Sequence, residues 1–301
     1  MIAIVSAPTN LGLRPPQPGA VPGTAKAPEA LREAGLHARL LGEGATDAGA
    51  ILPGRYVDHP NRSRNAVRNH EAIVDHARRL AARLVTLTRE GRAPLVLGGD
   101  CSLLIAAGLA SRVARPSGLV HVDGHTDFRH PSNSPEIGAL AGEDLAAAVG
   151  LHLPEIADID GLGPYFDRAA TAHIGCRRDD EHLDELADTI GLVLPADRVV
   201  MHGAARAAAD VLELPALDRG FWLQIDVDVM DPQYMPAVDS PDVGGLSPDE
   251  LIRLLGLLAP RAWGASVTVF DPDLDPTGRH ARTIAEIVAT GLRDLGRDLA
   301  L

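Results

Sequence analysis

Leu95-Val96-Leu97-Gly98-Gly99-Asp100-Cys101-Ser102-Leu103-Leu104 decides how this chain is built. An apolar run suited to a buried strand passes into paired glycines, which permit a tight turn and close backbone approach, and a helical stretch opens near Leu103. A strand that enters a helix this way is half of a βα unit. The same alternation continues on both sides. Upstream lie a strand at Ile2 to Val5, a helix from Pro28 to Ala34, and Ile73, Ala77, Leu80, Leu84 and Leu87 at the three- and four-residue spacing of a helix face. Pro28 stands at an expected first helical position and Gly35 just past the end. Downstream, strands are expected at Leu119 to Val122, Ala172 to Ile174, Val199 to Met201, Trp222 to Val227 and Ser266 to Phe270, with helices such as Ala204 to Leu212 and Pro248 to Leu258 between them. The pattern predicts a doubly wound α/β architecture with a mostly parallel sheet whose ligands sit at the C-terminal strand ends. No repeat or linker-like composition shift interrupts residues 1–301, so one domain is expected.

With 301 residues, 46% of them hydrophobic, the chain can bury a large core. A net charge of -13 and only 3% aromatic residues exclude a basic phosphate-tracking groove or a base-stacking platform, and with them nucleic acid as a partner. The N-terminal MIAIVSAPTNLG lacks a basic segment, and no run of about 18 apolar residues follows, so neither a signal peptide nor a membrane span is expected. The reading is a cytoplasmic protein. Cys101 and Cys176 are too few for a disulfide framework.

Acidic residues collect where strands end. His121-Val122-Asp123-Gly124-His125-Thr126-Asp127 places Asp123, His125 and Asp127 at two-residue spacing, which points them to one side of an extended backbone. Trp222 to Val227 leads into Asp226-Val227-Asp228, a second pair at the same spacing. Carboxylates at the ends of buried strands are costly to ionise alone, and two such sets imply a cation between them. Either segment by itself is as well explained by a solvated loop or turn; the two together are not. Gly98-Gly99-Asp100 lacks the lysine of a phosphate loop and the spacing of a dinucleotide fingerprint.

These segments resemble the arginase and agmatinase family, the ureohydrolases. The family order is Gly-Gly-Asp-His-Ser, Asp-Ala-His-x-Asp and Asp-x-Asp-x-x-Asp-Pro. This chain has Gly98-Gly99-Asp100-Cys101-Ser102, Asp123-Gly124-His125-Thr126-Asp127 and Asp226-Val227-Asp228-Val229-Met230-Asp231-Pro232. Similarity continues through Pro28-Glu29-Ala30-Leu31-Arg32, His173-Ile174-Gly175 and Val243-Gly244-Gly245-Leu246. The resemblance implies a three-layer αβα, arginase-like fold and two divalent metal ions, usually Mn²⁺, bridged by a hydroxide that attacks a guanidino carbon and releases urea. Carried over by position, the ligands would be Cys101, Asp123, His125, Asp127, Asp226 and Asp228, with Asp127 also orienting the hydroxide. It further implies a small guanidino or amidino substrate and a homo-oligomer, trimer or hexamer.

Three positions depart from the family. Cys101 replaces a ligand His; as a thiolate it would make the set of four Asp and one Cys carry -5 against +4, and its softness admits Zn²⁺ or Fe²⁺ beside Mn²⁺. A packed, non-ligating thiol is the plain alternative. Ala141 stands in place of a proton-shuttling His, leaving Glu143, Asp144 or His130 as substitutes. Val269 stands where a guanidinium-gripping Glu is expected, and Asp271 and Asp273 read more readily as turn formers. Arg129 suits a substrate carboxylate or an ion pair with Glu136, and Asp180 matches a position that meets a substrate amino group, or else belongs to a solvated charge run. His121 reads as a packed or supporting histidine and Cys176 as structural. The expected activity is therefore hydrolysis of a C–N bond in a guanidino or amidino compound other than ordinary L-arginine. The alternatives are a non-catalytic metal-binding homologue and an amide hydrolase or deacylase on the same fold.

Overall fold

Eight strands form one sheet in this computed structural model, which describes residues 1–58, 63 and 66–299. They are β1 (Ile2–Ala7), β2 (Thr46–Ala50), β3 (Ala93–Gly98), β4 (Gly118–Val122), β5 (Thr171–Ile174), β6 (Leu192–Leu194), β7 (Phe221–Asp226) and β8 (Ala262–Thr268). Every pairing is parallel and the order is β2-β1-β3-β8-β7-β4-β5-β6. Parallel strands need crossover helices, and these cover both faces, so inner strands such as β3 and β7 are buried on both sides.

Strand alternation sends each residue set to one of two cores. On one face Leu95, Leu97, Val120, Leu223 and Ile225 pack with Leu31, Leu36, Leu251 and Ile284 from helices; on the other Val96, Leu119, Trp222 and Trp263 meet Leu80, Leu84, Leu104 and Leu145. The helix His70–Arg89 buries Ile73, Ala77, Leu80, Leu84 and Leu87, the face expected from their spacing. After β3 the helix Leu103–Ala114 carries the chain past two strand positions to β4, and β7 and β8 later fill the gap. The C-terminal ends of β3, β8, β7 and β4 thereby surround a crevice at the place where strand order switches.

Several expectations need correction. Val199 to Met201 lies in the helix Ala196–His202: Val199 is buried while Val200 and Met201 are exposed, a one-sided pattern that suits a helix on the surface. The helix near Pro28 runs Ala27–Glu33, one residue ahead of its expected start, and Gly35, at φ +89°, also opens the next helix, Leu36–Gly42. β8 begins at Ala262 and ends at Thr268, so Val269 and Phe270 lie beyond it. The edge strands β2 and β6 were not foreseen; Thr46-Asp47-Ala48-Gly49-Ala50 is polar and half exposed, and such a strand lacks the apolar run that marks a buried one.

Candidate metal centre

The crevice is built by three strand-end turns pressed together. Gly99 allows the first: a Cβ there would lie 1.7 Å from the Thr9 carbonyl oxygen, so only glycine lets the loop after β1 cross the end of β3. Asp100 ties that crossing, its carboxylate accepting from Thr9 Oγ1, Gly12 N and Ser102 N. Cys101 follows, wholly buried, with Sγ 2.8 Å from Asp226 Oδ2 and 3.1 Å from Thr268 Oγ1.

The second turn follows β4. The backbone N–H of His125 donates to Asp123 Oδ1 at 2.7 Å, and that of Gly124 donates to Asp228 Oδ1 at 3.0 Å. Gly124 is required for this approach, since a Cβ would stand 2.6 Å from the Asp228 carbonyl oxygen. In the third turn, Asp226 Oδ1 accepts the N–H of Asp228 at 2.8 Å, which orients both carboxylates after β7. His125 Nδ1 lies 2.9 Å from Asp228 Oδ2, and its Nε2 is 3.2 Å from Asp242.

The structure thus brings all six positions of the expected ligand set to one place. Donor atoms of Cys101, Asp123 and Asp127 lie within 4.8 Å of one another, as do those of Asp123, His125 and Asp228. A third such group, His121, Asp127 and Asp144, adjoins them and was not foreseen as a site. The supply of positive charge does not match this density of carboxylates. Burial, then the neighbouring acids, pushes Asp123 and Asp127 well above the ordinary carboxylate range; burial and then Asp228 and Asp123 do the same to Asp226. Burial, reinforced by Asp226, also raises the Cys101 thiol. Asp228 differs: burial pushes it up, but the hydrogen bond and charge of His125 and the Gly124 N–H outweigh that and hold it below its usual value. Burial alone would lower His125, yet its hydrogen bond to Asp228 and the surrounding carboxylates carry it up to about 10. Asp123 Oδ2 has no hydrogen-bond partner although it is buried. An oxygen-rich set with an orphaned buried carboxylate oxygen is chemically fitted to a divalent cation.

Above the cluster opens a cavity of about 430 Å³, bordered by His125, Asp127, Arg129, Asp180, Ala141 and Val269. Val269 has φ +73°, an uncommon backbone for a β-branched residue, held by its N–H donating to Gly99 O at 2.7 Å; strain of this kind costs about 1–3 kcal/mol. Arg129 Nε donates to Glu181 in the loop after β5, in place of the expected Glu136, because that loop lies beside it. Asp180 accepts from Thr126 N and Oγ1, which fixes the loop after β5 against the turn after β4. Asp271 accepts from Gly23 N and Asp273 N, and Asp273 pairs with Lys26, so both form turns away from the cavity. Among the shuttle substitutes, Glu143 is spent on Gly138 N, Ala139 N and His152, and His130 on Glu185; Asp144 alone faces the acidic cluster. Cys176 is buried and raised to about 12 by that burial, as expected of a structural thiol.

Sequence reasoning missed Arg177. Only 6% exposed, it donates to the carbonyl oxygens of Gly175, Asp228, Met230, Asp242 and Val243, and so locks the segment after β7 under the site. In the run Arg177-Arg178-Asp179-Asp180 nothing local separates this buried residue from its exposed neighbour Arg178.

Comparison with known proteins places the chain in one family. A family model described as "Arginase family" matches residues 1–292. An arginase from Bacillus caldovelox is 30% identical over 264 residues, covering 86% of each chain. The crystal structure of arginase from Bacillus cereus superposes with a TM-score of 0.83 at 26% identity over 97% of both chains. The proclavaminate amidino hydrolase from Streptomyces clavuligerus gives 0.71 at 26% identity, over 99% of this chain and 92% of that one.

Proposed function

This chain belongs to the arginase family, and from that premise we propose that it is a metal-dependent hydrolase that cleaves a C–N bond of a guanidino or amidino compound with water, releasing the amine together with urea from a guanidino group or an amide from an amidino group. The observation that carries the reading is the cluster of carboxylates around buried Asp123, whose Oδ2 has no hydrogen-bond partner and which needs positive charge to stay ionised. Asp123, His125 and Asp228 would hold one divalent cation, with Asp226 beside them, and Asp127 would help to hold a second. When bound, such a pair supplies a water activated near neutral pH and stabilises the negative charge that develops on attack.

The chain's own residues do the rest. Asp127 reaches from the cluster to the cavity, where its carboxylate orients the attacking water and takes its proton. The acidic wall of Asp127, Asp180 and Asp242 attracts a cationic guanidino or amidino group. Asp180 has lone pairs beyond those used by Thr126 with which to meet a substrate amino group. Arg129 and Asp127 both line the cavity beside Gly142, where a Cβ would sit 3.9 Å from both Arg129 Nη1 and Asp127 Oδ1. A substrate that carries a carboxylate for Arg129 and an amidino group for the acids fits this lining. Val269 offers the amidino group shape and no charge, which argues against L-arginine as the preferred substrate.

A panel of guanidino and amidino acids, assayed for urea and ammonia release with Mn²⁺, Zn²⁺ or Fe²⁺, tests this. Faster turnover of an amidino acid than of L-arginine is expected. Protein that binds metal but turns over nothing in the panel would favour a non-catalytic homologue, and arginase-level turnover of L-arginine would refute the substrate reading.

A further inference from the structure

We propose that a divalent cation binds between His121, Asp127 and Asp144, and that this position, rather than one ligated by the Cys101 thiolate, holds the second ion of the centre. The inference rests on the reading of the cluster as a metal centre and decides where one of its ions lies.

His121 and Asp144 are wholly buried. His121 Nε2 is 3.4 Å from Asp144 Oδ1 and 3.7 Å from Asp123 Oδ2. None of these three atoms, nor Asp144 Oδ2, makes a hydrogen bond of good geometry. Leaving so many polar atoms unsatisfied in one place is expensive, at roughly 1–3 kcal/mol each, and the charged ones cost more. The spacing explains why they are held apart. Ligand atoms around a tetrahedral ion with bonds of about 2.0–2.2 Å stand roughly 3.3–3.6 Å from one another. His121 Nε2 and Asp144 Oδ1, 3.4 Å apart with no hydrogen bond between them, are spaced as two such ligands are.

The tautomer fits as well. His121 Nδ1 faces His173 Nδ1 at 3.0 Å across stacked rings, so one proton serves both nitrogens. With His121 as the donor, its Nε2 carries a lone pair aimed at two carboxylates, an arrangement that a cation between them makes favourable. A metal-binding histidine ordinarily donates its second N–H in just this way. Cys101, by contrast, has its sulfur engaged on two sides, by Asp226 and Thr268. One imidazole and carboxylates form a harder donor set than a thiolate does, so this position suits Zn²⁺ and admits Mn²⁺ more readily than a thiolate position would.

The test uses the full chain loaded with Mn²⁺ or Zn²⁺ and dialysed, with metal content measured by plasma mass spectrometry and folding checked by circular dichroism. Wild type and Cys101→Ala are expected to retain two ions, whereas Asp144→Asn and His121→Gln retain one. Zinc-edge absorption spectra of the wild type, which need no variant, should show nitrogen and oxygen scatterers and no sulfur at about 2.3 Å. A sulfur shell at that distance, or two ions retained by Asp144→Asn and His121→Gln while Cys101→Ala loses one, overturns the proposal and leaves the metal centre standing. Wild-type protein that binds no metal overturns both.

Discussion

Raising the pH should tighten metal binding by an amount set largely by one imidazole. In the metal-free protein His125 holds a proton up to about pH 10, because Asp228 Oδ2 at 2.9 Å and Asp242 Oδ2 at 3.2 Å both accept from it. A cation taking that nitrogen must displace the proton. One proton released per ion makes the apparent affinity rise about tenfold, or ~1.4 kcal/mol, for each pH unit. Between roughly pH 6 and pH 8 the dissociation constant should therefore fall about a hundredfold from His125 alone. Asp123, Asp127 and Asp226, pushed upward by burial and by one another, add to the release in the same direction. Stability of the metal-free protein should move the other way. A histidine raised from 6.5 to about 10 stabilises the fold fully below pH 6.5 and loses that contribution as pH climbs toward 10. Carboxyls raised above their unfolded values keep protons in the native state that the unfolded chain has shed, so they too weaken the metal-free fold as pH rises above about 4. Asp228, held low, matters only at the acid end, where its contribution is lost as pH falls through its lowered pKa. Calorimetric titration with Mn²⁺ in two buffers of different ionisation enthalpy counts the protons released, and thermal melts with and without metal measure the widening gap. Affinity that stays flat from pH 6 to 8 with no proton released would refute the assignment of His125 as a ligand.

Other expectations are simpler to state. Asp226→Ala should lower bound metal and remove the metal-dependent rise in melting temperature, read by metal analysis and calorimetry, because the carboxylate orients the Asp228 N–H as well as facing the cluster. Val269→Glu should raise kcat/KM for guanidino substrates about tenfold or more by supplying a charged contact, measured as urea release, while lowering the stability of the metal-free protein. Arg177→Met should cost about 3–5 kcal/mol in urea denaturation, since it strips the donors from carbonyl oxygens after β7; Arg177→Lys should recover little of this because an ammonium cannot span them. Gly99→Ala should destabilise by about 3 kcal/mol through its collision with Thr9, and a variant as stable as wild type would show that the crossing of β1 and β3 is looser than described.

Much of this protein is written locally. The run from Leu95 into Gly98-Gly99 and the helix beyond it, repeated along the chain, dictates a parallel sheet because strand, turn and helix each follow from short-range patterning. The clustering of Asp123, His125 and Asp127 with Asp226 and Asp228 is legible in the sequence because two-residue spacing at strand ends survives any arrangement of the strands. Tertiary structure decided what depends on partners distant in sequence. Val199 to Met201 carries a strand-like composition, yet packing only Val199 against the core makes it helical. Whether Arg177 or Arg178 is the buried one is settled by carbonyl oxygens more than fifty residues away in the segment 228–243. The pairing of His121 with His173 needs β4 and β5 side by side in register, and the approach of Asp144 to His121 needs the helix Asp144–Ala148 folded over the end of β4. No periodicity encodes a contact between residues that far apart; it arises only when buried charges and lone pairs from separate strands are forced to share one low-dielectric space, and there the chemistry of each group is set by the others.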